Sequence, residues 1–252
     1  MIRAYLETSP LVRSLWSSIR WPVRYAGYFM EYLQYSGMLN NAGKDGLRWK
    51  DRYPCLRDRT KATGFDPHYI YHTAWAARQL AFTKPAEHVD IGSSLYFVSI
   101  VSAFVPVRFY DYRPARLTLS GLVCDHADLL SLDFEDNSLL SLSCMHVIEH
   151  IGLGRYGDHL DVSGDLKAAA ELQRVLAPGG TLLVAVPVGR PRVAFNAHRI
   201  YSFEQVCSMF GQLRLQEFSL VPDDYSSGMT DSAPPELVNS QEYGCGCFRF
   251  VR

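Results

Sequence analysis

The sequence predicts an α/β fold: a doubly wound, mostly parallel seven-stranded sheet with an antiparallel C-terminal hairpin, plus a helical N-terminal extension. Three observations carry this. Short apolar runs alternate with helical periodicity over residues 86–211, which demands a parallel sheet covered by helices on both faces. The last two runs have no helical pattern between them, as an antiparallel pair requires. Residues 1–60 also differ in character from everything that follows. The expected organisation is a helical, basic and aromatic extension over 1–85 and an α/β domain over 86–252.

Residues 1–60 hold ten Lys or Arg against five Asp or Glu, whereas 61–252 hold fifteen against twenty-one, so a net charge of -1 hides a +5 segment joined to a -6 one. Between Leu11 and Leu39, Leu15, Trp16, Ile19, Trp21, Tyr25, Tyr28, Phe29, Tyr32, Leu33 and Tyr35 recur mostly at three or four residues, interleaved with Arg13, Arg20 and Arg24. This reads as one or two amphipathic helices, interrupted near Pro22. Such a face either packs on its own core or a sister subunit of a homo-oligomer, helping to close the site, or rests peripherally on an anionic membrane through 11–39. Asn40 to Arg59, with Gly43, Gly46 and Pro54, reads as loop.

Asp66-Pro67 opens the next helix as N-cap and first helical residue, with Ile70, Ala74, Ala77 and Leu80 as its apolar stripe and Pro85 beyond its end. Then follow a strand over Glu87–Gly92, a helix over Ser94–Ala103, and strands at Val105–Tyr112 and Leu122–Cys124. In the fourth strand, Leu139–Met145, Leu140, Leu142 and Cys144 alternate with Ser141 and Ser143. A helix from Asp165 to Leu176 presents Ala168, Leu172, Val175 and Leu176 on one face and breaks at Pro178-Gly179-Gly180, before an apolar fifth strand, Thr181–Val186. Ser202-Phe-Glu-Gln205 is a capping box for a short helix closed at Gly211. Leu213–Val221 and Tyr243–Val251 form the closing hairpin.

With 48% apolar and 20% charged residues the chain is neither disordered nor a disulfide scaffold, and its near-zero net charge argues against a dedicated nucleic-acid binder. There is no run of about 18 apolar residues to span a bilayer. Six cysteines without CxxC spacing, and no apolar leader, point to a reduced, cytoplasmic setting. Cys245 and Cys247 point to one face at strand spacing but assemble no four-ligand set, and His146 and His150 straddle a strand end rather than sharing a helix face. No metal site is assigned to either pair.

In an open parallel sheet, ligands bind beyond the carboxyl ends of the strands, where strand order reverses. Those ends carry Val89-Asp90-Ile91-Gly92-Ser93-Ser94, Tyr110-Asp111-Tyr112-Arg113, Asp125-His126-Ala127-Asp128-Leu129 and His146-Val147-Ile148-Glu149-His150. Asp111 lies 21 residues beyond Asp90, where a carboxylate can accept hydrogen bonds from both hydroxyls of a ribose. The lesser alternative is an exposed strand-end acid paired with Arg113.

Taken in order, Asp90-Ile-Gly92, Asp111, Ala127-Asp128-Leu129, Phe134-Glu-Asp-Asn-Ser138, Cys144-Met-His-Val-Ile-Glu149-His150 and Arg174-Val-Leu-Ala-Pro178-Gly179-Gly180 resemble the class I S-adenosylmethionine-dependent methyltransferases, whose fold is Rossmann-like. Asp66-Pro-His-Tyr69, Gly152-Leu-Gly-Arg-Tyr-Gly-Asp158 and Phe195-Asn-Ala-His-Arg-Ile-Tyr201 are similar to a methyltransferase-like family known as a domain of unknown function and associated with glycan biosynthesis. The resemblance implies S-adenosyl-L-methionine as cofactor. It places the turn of Gly92 and Ser93 at the methionine end, Asp111 at the ribose, and Asp128 with Leu129 at the adenine. Asp90, Tyr112, Met145 and His146 complete the cofactor-binding set.

The implied activity is methyl transfer to oxygen, or less readily nitrogen, of a carbohydrate or small-molecule acceptor. Transfer to a hydroxyl needs a base, so His150 is the leading candidate, with Glu149 beside it and His198 as the second. Glu149 and His150 read equally as a strand-end pair that stabilises the fold. Arg155, Tyr156, Asn196 and Arg199 are the candidate acceptor-binding residues, Arg155 and Tyr156 lying in a glycine-rich loop suited to an anionic group. That loop could also be pinned at the surface by acids such as Asp158 and Asp161. Tyr71, His72 and Trp75 serve either as a lid or as core.

One departure stands out. The methyltransferase pattern has glycines at alternate positions after Asp90, but only Gly92 is present; Ser94 and Tyr96 take the later places, and Tyr96 is expected to narrow the site. The same run fails G-x-G-x-x-G, which disfavours a nicotinamide oxidoreductase. It also leaves open a rival reading, a catalytically degenerate methyltransferase-like scaffold acting as a binding protein in glycan assembly.

Overall fold

The computed structural model describes residues 10–252, with side chains described from Trp21 onward, and divides at Gly64/Phe65 into two compact units. The expectations for Leu15, Trp16, Ile19, Arg13 and Arg20 concern side chains outside the described residues. In the first unit, α1 (Pro10–Asn41) runs through Pro22 without ending, contrary to the expected interruption. Trp21 stacks on Tyr25 at 5.2 Å and Tyr25 lies 5.9 Å from Tyr28, so aromatic packing supports the turns that follow the proline. The segment after α1 is irregular except for a single turn at Trp49–Asp51. Trp49 meets Phe29 and Tyr32 edge-on, and Arg59 pairs with Glu31 at 2.7 Å.

The second unit, Phe65–Arg252, opens with α2 (Pro67–Thr83), capped by Asp66, whose carboxylate accepts from the Tyr69 amide. The buried face of α2 is His68, His72, Trp75, Ala76 and Leu80, while Ile70 is 53% exposed. The expected stripe therefore has the right period and the wrong phase. Two histidines take inward positions that hydrophobicity alone assigns to Ile70 and Ala74.

The sheet comprises β1 (His88–Ile91), β2 (Val107–Asp111), β3 (Leu122–His126), β4 (Leu139–Met145), β5 (Leu176–Val188), β8 (Arg214–Val221), β9 (Thr230–Asp231) and β10 (Gly244–Val251), in spatial order β3-β2-β1-β4-β5-β10-β8-β9. The first five run parallel, and β5-β10-β8-β9 are antiparallel. This is the expected doubly wound sheet of seven strands, with β10 and β8 as the closing pair and β9 as an added two-residue edge. A separate two-stranded ribbon, β6 (Arg192–Ala194) with β7 (His198–Ile200), branches from the end of β5. The closing pair is not a direct hairpin: α6 (Pro235–Ser240) lies between its strands, where no helix was expected. Six residues are too few to show a helical period.

Helices α3 (Leu95–Val101) and α2 cover one face of the sheet through Phe97, Val98, Val101, Trp75, Ala76 and Leu80. The other face is covered by α4 (Gly164–Val175), α5 (Phe203–Met209) and α6, through Ala168, Leu172, Val206, Phe210 and Val238. Strand residues alternate accordingly, Leu182, Val184 and Val186 to one core and Leu183 and Ala185 to the other. Ser141 and Ser143, expected at polar positions of a half-exposed strand, are buried, and it is Leu140 that is exposed. The serines are accommodated because His88 reaches both, Nδ1 to Ser141 Oγ and Nε2 to Ser143 Oγ at 2.8 Å each.

Candidate active-site cleft

Strand order reverses between β1 and β4, and a cleft of about 330 Å³ opens there, beyond the carboxyl ends of β1, β2 and β4. Its lining includes Gly92, Ser93, Asp111, Tyr112, Asp128, Leu129, Met145, His146, His150 and Tyr156 from the sequence-predicted set. Asp90 is buried below it; Arg155, Asn196, His198 and Arg199 are not part of the lining.

The turn after β1 is shaped by backbone need. Gly92 has φ +70°, and a Cβ there would meet both methyl carbons of Val147 at 3.2 Å. The buried Asp90 carboxylate accepts from the Ser93 amide and from Ser143 Oγ, while Ser93 Oγ accepts from the Met145 amide at 3.0 Å. These bonds lock the end of β1 to the end of β4. Burial raises the Asp90 pKa to about 6, opposed in part by these hydrogen bonds. Tyr96, expected to narrow the site, is 84% exposed and outside the lining: α3 turns Phe97 and Val98 into the core and Tyr96 outward. The place that follows Gly92 by two is filled by Ser94, which does line the cleft.

Asp111, at the end of β2, does not pair with the Arg113 guanidinium. Its Oδ1 accepts the Arg113 backbone N–H at 2.7 Å, and Oδ2 has no hydrogen-bond partner among the described residues. Asp128 uses Oδ1 to cap the turn at Leu130. The Arg113 guanidinium instead lies 4.4 Å from the Tyr156 ring centre, across the mouth. Tyr156 belongs to the 152–158 loop, which Asp158 ties together by accepting from the amides of Gly152, Gly154 and Tyr156. Those amides hold the Asp158 carboxyl below its ordinary value despite partial burial. Gly152 has φ +79°, and a Cβ there would fall 2.1 Å from the Asp161 carbonyl oxygen, so this position requires glycine.

At the end of β4, His146 adopts φ +56°, a left-handed conformation unusual for a histidine. Its Nδ1 lies 2.8 Å from Glu149 Oε1 and its Nε2 lies 3.4 Å from Cys245 Sγ. Burial alone would raise the Glu149 carboxyl, but His146 holds it below its ordinary value; burial opposes charge on His146, but the sulfur and Glu149 raise it. Glu149 Oε2 is buried without a partner. His150 donates Nδ1–H to the Ala197 carbonyl at 2.6 Å, which leaves the lone pair on Nε2, 3.8 Å from Glu149 Oε1. Arg155 donates to the same carbonyl at 2.9 Å. Burial lowers the His150 pKa, so its imidazole is neutral near pH 7.

His198 stands 6.5 Å from the His150 ring and packs at a tilt on Tyr243, 4.8 Å between ring centres, outside the cleft lining. Arg199 turns inward: its guanidinium donates to the carbonyls of Ile151 and Asp161 and approaches Asp165 at 3.4 Å. Asn196 is exposed on the ribbon turn. Tyr71 is half-buried, whereas His72 and Trp75 are core and Tyr69 is the α2 residue that reaches the cleft. Sequence reasoning did not single out Tyr69, Arg113 or Asp158 as a lining residue, although Tyr69 and Asp158 fall inside motifs that carry the resemblance.

Comparison with known proteins supports the fold. Residues 133–230 match a family described as a Caenorhabditis protein of unknown function, DUF268. No curated protein sequence matches the chain. A chain from the complex between the Haloferax volcanii Trm112 methyltransferase activator and a candidate methyltransferase superposes with a TM-score of 0.50 at 18% identity, covering 73% of this chain and 89% of that one. A candidate sarcosine dimethylglycine methyltransferase from Galdieria sulphuraria gives a TM-score of 0.50 at 16% identity, covering 71% and 84%. The chain thus shares the Rossmann-like fold of these two structures. No described helix is long and apolar enough to cross a membrane.

Proposed function

We propose that the protein is an S-adenosylmethionine-dependent methyltransferase acting on a hydroxyl of a carbohydrate or small-molecule acceptor. The observation that carries this reading is the cleft at the β1/β4 switch point, where Asp111 presents a free carboxylate oxygen beside the bare backbone of Gly92. Asp111 would accept from the ribose hydroxyls, Asp128 and Leu129 would flank the adenine, and the Gly92-Ser93 turn would pass the methionine end. When bound, the cofactor supplies an electrophilic methyl group on a sulfonium. His150 Nε2 would take the acceptor proton as its oxygen attacks, and its neutral state and fixed tautomer suit it to that task. Tyr69, Tyr156 and Arg113 form an aromatic and cationic rim suited to a sugar bearing an anionic group.

A charge-assisted hydrogen bond to a ligand hydroxyl is worth roughly 1.5–3 kcal/mol. Asp111→Ala is therefore expected to weaken S-adenosylhomocysteine binding about ten- to hundredfold on calorimetric titration. Unchanged affinity would remove Asp111 from the cofactor site. No binding of the ligand to the unaltered chain, even at millimolar concentration, would defeat the enzyme reading altogether. Asp158→Ala removes the acceptor of three backbone amides and is expected to loosen the 152–158 loop, seen as faster amide exchange at Gly152 and Tyr156 with the sheet unaffected.

A further inference from the structure

We propose that His68, His146 and Cys245, with His72 beside them, form a binding site for a thiophilic transition-metal ion of the zinc class. One ligand atom from each of His68, His146 and Cys245 lies within 4.8 Å of the other two, and all three residues are buried. The His146 Nε2 to Cys245 Sγ distance, 3.4 Å, is close to the ligand separation of about 3.5 Å that tetrahedral zinc imposes on a nitrogen and a sulfur.

The arrangement of the second ring nitrogens is the stronger argument. Metal-ligating histidines hold their other N–H on a carboxylate or a backbone carbonyl, which fixes the tautomer and aims the lone pair. All three histidines here are held that way. His146 Nδ1 bonds Glu149 Oε1 at 2.8 Å, His68 Nε2 bonds the Tyr243 carbonyl at 3.0 Å, and His72 Nδ1 bonds the His68 carbonyl at 2.6 Å. Each ring is left with one nitrogen lone pair. His72 supplies an independent observation: it is 0% exposed, its Nε2 has no partner, and its ring centre lies 4.9 Å from that of His146. A buried, unpartnered imidazole nitrogen is costly in a site without a ligand. Nitrogen and sulfur donors select zinc, or cobalt in its place, over magnesium or calcium.

The donors come from α2, the end of β4 and the start of β10, so a bound ion would tie the covering helix to two strands behind the cleft. Binding would displace the proton from Cys245, and its positive charge would fall near the Glu149 carboxylate, which pairs with His146 at 2.8 Å. This site stands independently of the methyltransferase reading.

The test is metal analysis of the untagged full chain after dialysis, together with cobalt(II) reconstitution. The expected result is about one zinc per chain, a sulfur-to-cobalt charge-transfer band, and a metal content reduced at least tenfold in Cys245→Ser and His68→Gln but unchanged in Cys55→Ser. Protein free of zinc after growth in zinc-supplemented medium, with no charge-transfer band on cobalt addition, would overturn the site. So would metal retained in full by folded Cys245→Ser. The cobalt spectrum of the unaltered chain decides the matter even where a variant does not fold.

Discussion

Replacing His150 by glutamine is expected to lower the rate of methyl transfer by roughly 10²- to 10⁴-fold, the usual contribution of a positioned general base. Affinity for S-adenosylhomocysteine should change by no more than about threefold, because the lost function acts on the acceptor proton. The expectation rests on the bond from Nδ1–H to the Ala197 carbonyl, which leaves the lone pair on Nε2, and on the place of His150 in the lining of the cleft. Burial keeps that nitrogen deprotonated below the ordinary imidazole value, so the acid limb of the pH–rate profile should lie below it too. The measurement is release of S-adenosylhomocysteine with whichever sugar or sugar nucleotide gives turnover in a screen. A His150→Gln protein as fast as the parent would return His150 to the structural role its strand-end position also permits, and the search for a base would move elsewhere.

What could be read from the sequence divides along the range of the forces involved. The five parallel strands and the closing pair were legible because short apolar runs set between helical periods are local signals, and the cleft followed because topology alone puts ligands at strand ends. Asp111, Asp128 and Glu149-His150 accordingly sit where the strand ends required. The phase of α2 was not legible. His68 and His72 face inward against His146, just past β4, and His68 also against Tyr243, just before β10; both lie far along the chain, and no window over the helix contains them. Arg199 illustrates the same limit: an arginine after a strand reads as an anion binder, yet the β6–β7 ribbon turns it onto the Ile151 and Asp161 carbonyls. Tyr96 is the converse case. A large residue near the turn looked obstructive, but a helix rotates 100° per residue, and one step puts it on the solvent side.

Replacing Asp90 by asparagine is expected to stabilise the protein at pH 8 and to leave it nearly unchanged at pH 4. The carboxyl is buried among neutral partners, and its pKa rises from 3.8 to about 6 on folding. His88, whose Nε2 shares Ser143 Oγ, is itself driven down to about 3 by burial and offers no compensating charge. Because the folded value is the higher one, the folded state holds the proton more tightly. Stability is therefore fullest below pH 3.8, falls as pH rises toward 6, and carries the whole penalty above that. A shift of this size corresponds to at most about 3 kcal/mol. Asparagine keeps an oxygen for the Ser93 amide and removes the charge, so urea unfolding should show a gain that grows between pH 4 and pH 6 and then levels off. A gain independent of pH, or a loss at pH 8, would show that the buried carboxylate is already balanced. The same substitution should weaken S-adenosylmethionine binding, since a cationic ligand in the cleft is the natural counter-charge for an acid held without one.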